Sequence, residues 1–285
     1  MAMKIGLLRL ALEMRLNGSF KKINSVFDLG TQTLHIDFEK LQDLFSYSKY
    51  KFDKKKYQIL KKFPKGKRLS TKLFWEALDI NDYKCSDINR KNNSIFIDLN
   101  YPLDENKKYK QYDLITDFGN NEHVFNVAEA YRTMFKLCKK DGYMWIHQSV
   151  IKGNGFFNYD ISFFEGMAAA NKLGIVYSAY VVHTGNYDQF LIPCDTKLLN
   201  AIDFSKVENI SITYIFKKKF NTDFKYYYQY NVNKLNRIYN THYISSGFPS
   251  ERYYIPSKSI ADMKKLAKKG DQEAIIWLRT LDIKY

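Results

Sequence analysis

Four acidic residues each close a short apolar run, and these are the places where the chain could do chemistry. They are Asp28 in VFDLGTQTL, Asp87 in YKCSDI, Asp98 in SIFIDLN and Asp117 in QYDLITDFGNNEH. A carboxylate at the end of a buried strand can accept hydrogen bonds from paired hydroxyls or from an amino group, as acids do in nucleotide-binding α/β folds. Gly30 and Thr31 follow the first acid, and the glycine permits a tight turn where backbone can approach a ligand. It is the only glycine between Gly18 and Gly66, so neither GxGxxG nor GxxxxGK[ST] is present, which argues against pyrophosphate cradling. A ligand-free turn explains this junction equally well, and any one acid can be a helix cap or a turn residue. Four in series are harder to explain that way.

Proton transfer would fall to histidine, the side chain whose ordinary pKa is nearest neutrality. His123 in NNEHVFN and His147 in WIHQS both follow apolar runs, with Glu122 beside the first to orient it or to bind a hydroxyl. Hydrogen-bonded structural histidines, and an acid at a helix start, account for the same residues. The run KGNGFFNYD, residues 152–160, suits a substrate loop with Phe156 or Phe157 as a wall and Asn158 as a polar partner. An irregular connection buried by its aromatics fits as well.

The elements that must position these residues alternate between strand-like and helix-like patterns, the signature of βαβ units. NSVFDLG, YKCSDI, SIFIDLN, QYDLITDFG, GYMWIHQSV, IVYSAYVVH and ENISITYIFKKKF read as seven strands. LSTKLFWEAL reads as a helix capped by Ser70 or Thr71, and SFFEGMAAANKLG as another. NVAEAYRTMFKLCKKDG is the clearest helix, with lysines in its last turn and Gly142 just past its end. The expected fold is α/β: a doubly wound, mostly parallel seven-stranded sheet with its crevice at the strand C-termini. Residues 1–225 form one domain, carrying a basic, aromatic-containing lid-like insertion at 47–68 and followed by a helical extension at 226–285.

Composition limits the partners. The chain has 285 residues, 45% of them hydrophobic, enough for a substantial core. Cys85, Cys138 and Cys194 are far apart, with no CxxC or Cys/His cluster, so neither a disulfide framework nor a metal site is expected and a reducing cytoplasm is the simplest compartment. The start of the chain reads as an amphipathic helix because Arg9, Glu13 and Arg15 interrupt its apolar run. No run is long enough to span a membrane. A net charge of +15 suits nucleic acid or an anionic small molecule, although compositional drift in a chain rich in Lys, Asn, Ile, Tyr and Phe produces the same charge.

In motif order, FDLGTQTL, YKCSDI, SIFIDLN and YDLITDFGNNEHVFN resemble the class I S-adenosylmethionine-dependent methyltransferases over most of the chain, roughly residues 23–217. EHVFN followed by GFFNYDISFF looks like a bacterial, sugar-modifying or uncharacterised subgroup of them. The resemblance implies S-adenosylmethionine as cofactor, with Asp28, Gly30 and Thr31 at its methionine part, Asp87 at the ribose and Asp98 at the adenine. Asp117, Phe118, Gly119 and Asn120 would then border the sulfonium and the acceptor. The sequence departs from the family at Gln32, which stands where a second loop glycine is usual. The expected acceptor is an oxygen or nitrogen of a small, anionic or carbohydrate-type molecule. The alternatives are a nucleic-acid methyltransferase, against which DFGN stands in place of [DNS]PP[YFW], and a non-catalytic, methyltransferase-like scaffold.

Overall fold

A computed structural model of the chain describes residues 2–36, 38–48, 50, 69–90, 93–184, 189–227, 260–271 and 274–275. Residues 51–68 of the expected lid and most of the expected extension at 226–285 lie outside the described residues. In chain order the elements are β1 (Ala2–Met3), α1 (Ile5–Leu16), β2 (Ser25–Asp28), β3 (Thr33–Leu34), α2 (Phe38–Tyr47), β4 (Leu69–Ser70), α3 (Lys72–Ala77), β5 (Asp82–Cys85) and β6 (Tyr112–Phe118). There follow α4 (Val127–Leu137), β7 (Cys138–Ile151), α5 (Ile161–Asn171), β8 (Leu173–His183), β9 (Gln189–Ile192), α6 (Thr196–Asn200), β10 (Asn209–Lys218) and α7 (Ile260–Lys268).

Seven strands form one mixed sheet in the order β5-β2-β6-β7-β10-β8-β9. The expectation of a mostly parallel sheet needs correction. The pairings β5-β2, β2-β6 and β6-β7 are parallel, but β10 runs antiparallel to both β7 and β8, and β9 antiparallel to β8. One half is therefore parallel and the other antiparallel. The run SIFIDLN does not form the expected third strand. Only Ile95 bridges, to Ser86, at the edge beyond β5; Ile95 and Phe96 are exposed, while Ile97 and Leu99 turn into the core. Its place in the count of seven is taken by β9, which the sequence reading passed over.

Strand alternation sorts the core into two layers. On one face, Phe27, Ile115, Met144, Ile146, Ile212 and Tyr214 pack with α4 and α5; on the other, Val26, Leu114, Phe118, Trp145 and Ile215 pack with α1, α2 and α3. Helix α1 is not amphipathic as expected: eight of its residues, Ile5 to Leu8, Leu10 to Leu12 and Met14, are buried. It presses on β9 so closely that a Cβ on Gly6 would lie 2.6 Å from Leu191 Cδ1. Helix α4 stops at Leu137 instead of running toward Gly142. The left-handed turn there falls on Asp141 (φ 63°), and Gly142 is required for a different reason: a Cβ would sit 3.0 Å from two carbonyl oxygens, those of Asp113 and Lys139. Lys218, itself buried, donates to the carbonyls of Phe135 and Cys138 and so satisfies the C-terminal end of α4.

Candidate functional site

From β2 the chain crosses first to β5 on one side and then to β6 on the other, so strand order reverses at β2. In open α/β sheets such a reversal leaves a crevice at the strand C-termini where ligands bind. Asp28, the last residue of β2, is fully buried, and its carboxylate is held by three hydroxyls. Tyr83 donates to Oδ2 at 2.8 Å, Thr71 donates to the same oxygen, and Thr116 donates to Oδ1. Burial pushes its pKa up to about 6, the three hydrogen bonds opposing the shift. Thr71 occupies the expected N-cap of α3, yet its hydroxyl serves Asp28 instead of the helix. Asp28 is thus tied to α3, β5 and β6, which fixes the turn that follows it. The sequence reading missed Thr71, Tyr83 and Thr116; a strand-end acid flanked by hydroxyl residues on the paired strands was the available signal.

That turn brings Gly30 into the left-handed region (φ 75°), with its N–H 3.4 Å from Ser86 Oγ at the end of β5. Gln32 does not project outward. It is fully buried, its Nε2 donates to Leu29 O at 2.7 Å, and its Oε1 has no hydrogen-bond partner among the described residues. Thr31 follows Gly30 directly and is half-buried. Asp87 is half-buried beyond β5, accepting from the N–H of Asn89 at 3.2 Å. Asp98 is also half-buried and accepts the backbone and side-chain N–H groups of Asn100, the local turn that such residues favour. Asn100 in turn accepts from the Asn126 N–H at 3.0 Å, which ties this segment to the start of α4.

At the end of β6, Asp117 is fully buried. Its Oδ1 accepts from the N–H groups of Asn120 and Asn121 at 3.0 and 3.2 Å, and its Oδ2 accepts from Gln148 Nε2. Burial raises its pKa to about 7 against the pull of those bonds, with neighbouring Glu122 adding to the rise. Phe118 is buried against Trp145, and Gly119 takes a left-handed conformation (φ 78°) in which a Cβ would meet only the Glu122 side chain, at 3.7 Å. Glu122 is almost fully buried: its N–H donates to Gln148 Oε1, its Oε2 accepts from Ser149 N–H at 2.8 Å, and its carbonyl accepts from Phe156 N–H at 2.7 Å. Gln148, one residue past His147, is therefore the clamp between Asp117 and Glu122, and sequence reasoning missed it.

The loop expected to carry substrate contacts is built against this clamp. A Cβ on Gly155 would lie 2.6 Å from Glu122 O, and one on Gly153 would lie 2.4 Å from Ser149 Cβ. Phe156 stands 71% exposed, its ring 6.5 Å from that of half-buried Phe157, and Asn158 is exposed.

The two histidines part company. His123 is open to solvent, with Nε2 3.6 Å from Glu122 Oε1. His147 is buried on the α1 face of the sheet, the face opposite Gln148 and Asp117, and burial with nearby Lys4 drives its pKa down to about 3. Its ring lies 5.8 Å from that of His183, another buried histidine, which contacts Lys4 Nζ at 3.2 Å and Ser211 Oγ at 3.1 Å. Among the described residues no group of three or more His, Cys, Asp or Glu could hold a metal ion, and no helix is long and apolar enough to cross a membrane.

The chain's architecture is thus a mixed α/β sheet with a switch-point crevice. No family model matches the sequence, and no curated protein does. Solved structures similar to it include the O-methyltransferase region StiE O-MT residues 961–1257, at 12% identity and a TM-score of 0.36 over 82% of this chain and 79% of that one. Another is coclaurine N-methyltransferase bound to N-methylheliamine and SAH, at 13% identity and a TM-score of 0.36 over 76% of this chain and 74% of that one. A third is the YcgJ protein of Bacillus subtilis, at 11% identity and a TM-score of 0.35 over 74% of this chain and 99% of that one.

Proposed function

We propose that the protein is an S-adenosylmethionine-dependent methyltransferase acting on an oxygen or nitrogen of a small molecule, with its cofactor at the β2–β6 switch point. The observation that carries this reading is the reversal of strand order at β2, flanked by left-handed glycines at Gly30 and Gly119 and followed by Asp87 beyond β5. Residues at the crevice fit such a ligand. Gly30 and Gly119 let backbone come close, and Gln32 turns its amide inward, so the missing second glycine does not put a side chain in the way. Asn121 Nδ2 is buried with no hydrogen-bond partner among the described residues, a donor suited to a bound ligand.

In this reading Gly30 and Thr31 hold the methionine part, Asp87 the ribose hydroxyls and Asp98 the adenine side, while Asp28 and Asp117 act from behind by fixing the two turns. The cofactor supplies an electrophilic methyl group on a sulfonium. The chain must align the acceptor in line with it, exclude water and, for a hydroxyl acceptor, remove a proton. His123, exposed and beside Glu122, is better placed for that removal than buried His147. Phe156, Phe157 and Asn158 then border the acceptor with Asn120. The net charge of +15 favours an anionic acceptor.

Asp87→Ala tests the placement. Loss of a charged hydrogen-bond partner should weaken S-adenosylmethionine binding by about 1.5–3 kcal/mol. Unchanged affinity would remove Asp87, and with it the ribose assignment.

A further inference from the structure

A cavity of about 510 Å³ lies between the N-terminal ends of α4 and α5, and its lining includes none of the residues assigned to the cofactor. Tyr131 and Phe163 form its floor, Asp160 and Ser162 lie at its edge, and the segment after β10 closes it with Phe224 and Tyr227. That last wall is pinned in place. Asn171 accepts the Lys225 N–H at 2.7 Å and donates to the Lys225 carbonyl at 3.1 Å, and the Tyr227 ring fits over Gly166 so tightly that a Cβ there would lie 2.8 Å from it. The rings also brace each other, with Tyr131 and Phe163 5.1 Å apart and Phe163 and Tyr227 5.7 Å apart.

The lining states a chemical preference. A volume of this size suits a small organic ligand. Aromatic faces are electron-rich and attract cations. Asp160 is exposed, which leaves a carboxylate at the rim although one oxygen accepts from Ser162 N–H. Among the described residues, none that lines the cavity is a lysine, arginine or histidine. Arg132, next to Tyr131 in α4, is paired with Glu129 at 3.1 Å and also interacts with Tyr226 of the lining. The phenol oxygens of Tyr131 and Tyr227 have essentially no accessible surface, and that of Tyr131 lies within reach of the Tyr159 hydroxyl, so these oxygens belong to the packing behind the wall and not to the open space.

We propose that this cavity is a second binding site, beside the cofactor's, for a ring-bearing organic amine, with the ring against Phe163 and Phe224 and the ammonium toward Asp160. Its preference is opposite to the one that the net charge suggests for the acceptor.

Three probes share one ring and differ in charge: tryptamine, indole and indole-3-acetate. Titrated calorimetrically against the full chain without cofactor, tryptamine should bind at least about tenfold more tightly than indole-3-acetate. Asp160→Asn, which keeps a good N-cap for α5, should remove most of that difference, and Phe224→Ala should weaken tryptamine and indole alike. Failure of tryptamine and indole to bind at millimolar concentration would overturn the proposal. So would a preference for the carboxylate, or binding that neither substitution changes. Because no cofactor is present, these outcomes are independent of whether S-adenosylmethionine binds.

Discussion

Replacing Asp117 with Asn should tilt the pH dependence of stability, and replacing His147 with Gln should tilt it the other way. Asp117 and Asp28 are carboxyls whose pKa values rise from 3.8 to about 7 and about 6 in the folded chain. Each therefore contributes stability that is full below pH 3.8 and lost as pH rises through the folded value. His147 falls from 6.5 to about 3, and His183 falls well below 6.5. Each histidine contributes stability that is present above pH 6.5 and lost as pH falls toward the folded value. Between about pH 4.5 and 6 the native state thus holds two extra protons on carboxyls and the unfolded state two on histidines, so these four contributions cancel. Asp117→Asn leaves one histidine unbalanced, and its stability relative to the parent should rise with pH by about 1.4 kcal/mol per unit across that window. His147→Gln leaves one carboxyl unbalanced, and its relative stability should fall by about the same slope. Asp117→Asn also sets its amide against Gln148 Nε2, a pH-independent cost of about 1–3 kcal/mol that shifts the line without tilting it. Urea denaturation at four pH values reads both slopes. Two variants whose stabilities run parallel to the parent's would refute the burial argument for these groups.

Two other substitutions probe the framework of the site. Gly155→Ala drives a methyl into the Glu122 backbone, where a Cβ would lie 2.6 Å from the carbonyl oxygen, and should destabilise the protein by about 1–3 kcal/mol in thermal unfolding; a neutral result would mean the loop is not packed there. Tyr83→Phe removes one of three hydroxyl donors to Asp28 and should cost about 1–2 kcal/mol while raising the Asp28 pKa further, measurable by NMR titration of that carboxyl; an unmoved carboxyl resonance would contradict the hydrogen bond.

Much of the parallel half of the sheet was legible in the sequence because it consists of continuous apolar runs ending in an acid, as in VFD and DLITDF. The antiparallel half was less so. β9 is four residues, QFLI, between a polar stretch and Pro193, too short to be told from a buried loop. SIFIDLN carries a strand's composition, yet it meets only the edge of the short β5 and uses Ile97 and Leu99 to dock, so hydrogen-bonded pairing ends at Ile95. Side-chain direction was the larger loss. Asp28, Asp117 and His147 were readable as strand ends, but whether each faces a crevice or a helix depends on which strand lies beside it. The positions of Thr116, Tyr83 and Gln148, which decide it, are set by pairing across tens of residues.

The most direct measurement is calorimetric titration of the full chain with S-adenosylmethionine and S-adenosylhomocysteine in moderate salt. If the turn after β2 is a cofactor loop despite its single glycine, both should bind with micromolar affinity and at one site. Absence of binding by either would contradict the methyltransferase reading and leave the crevice at β2 as a feature of the fold alone.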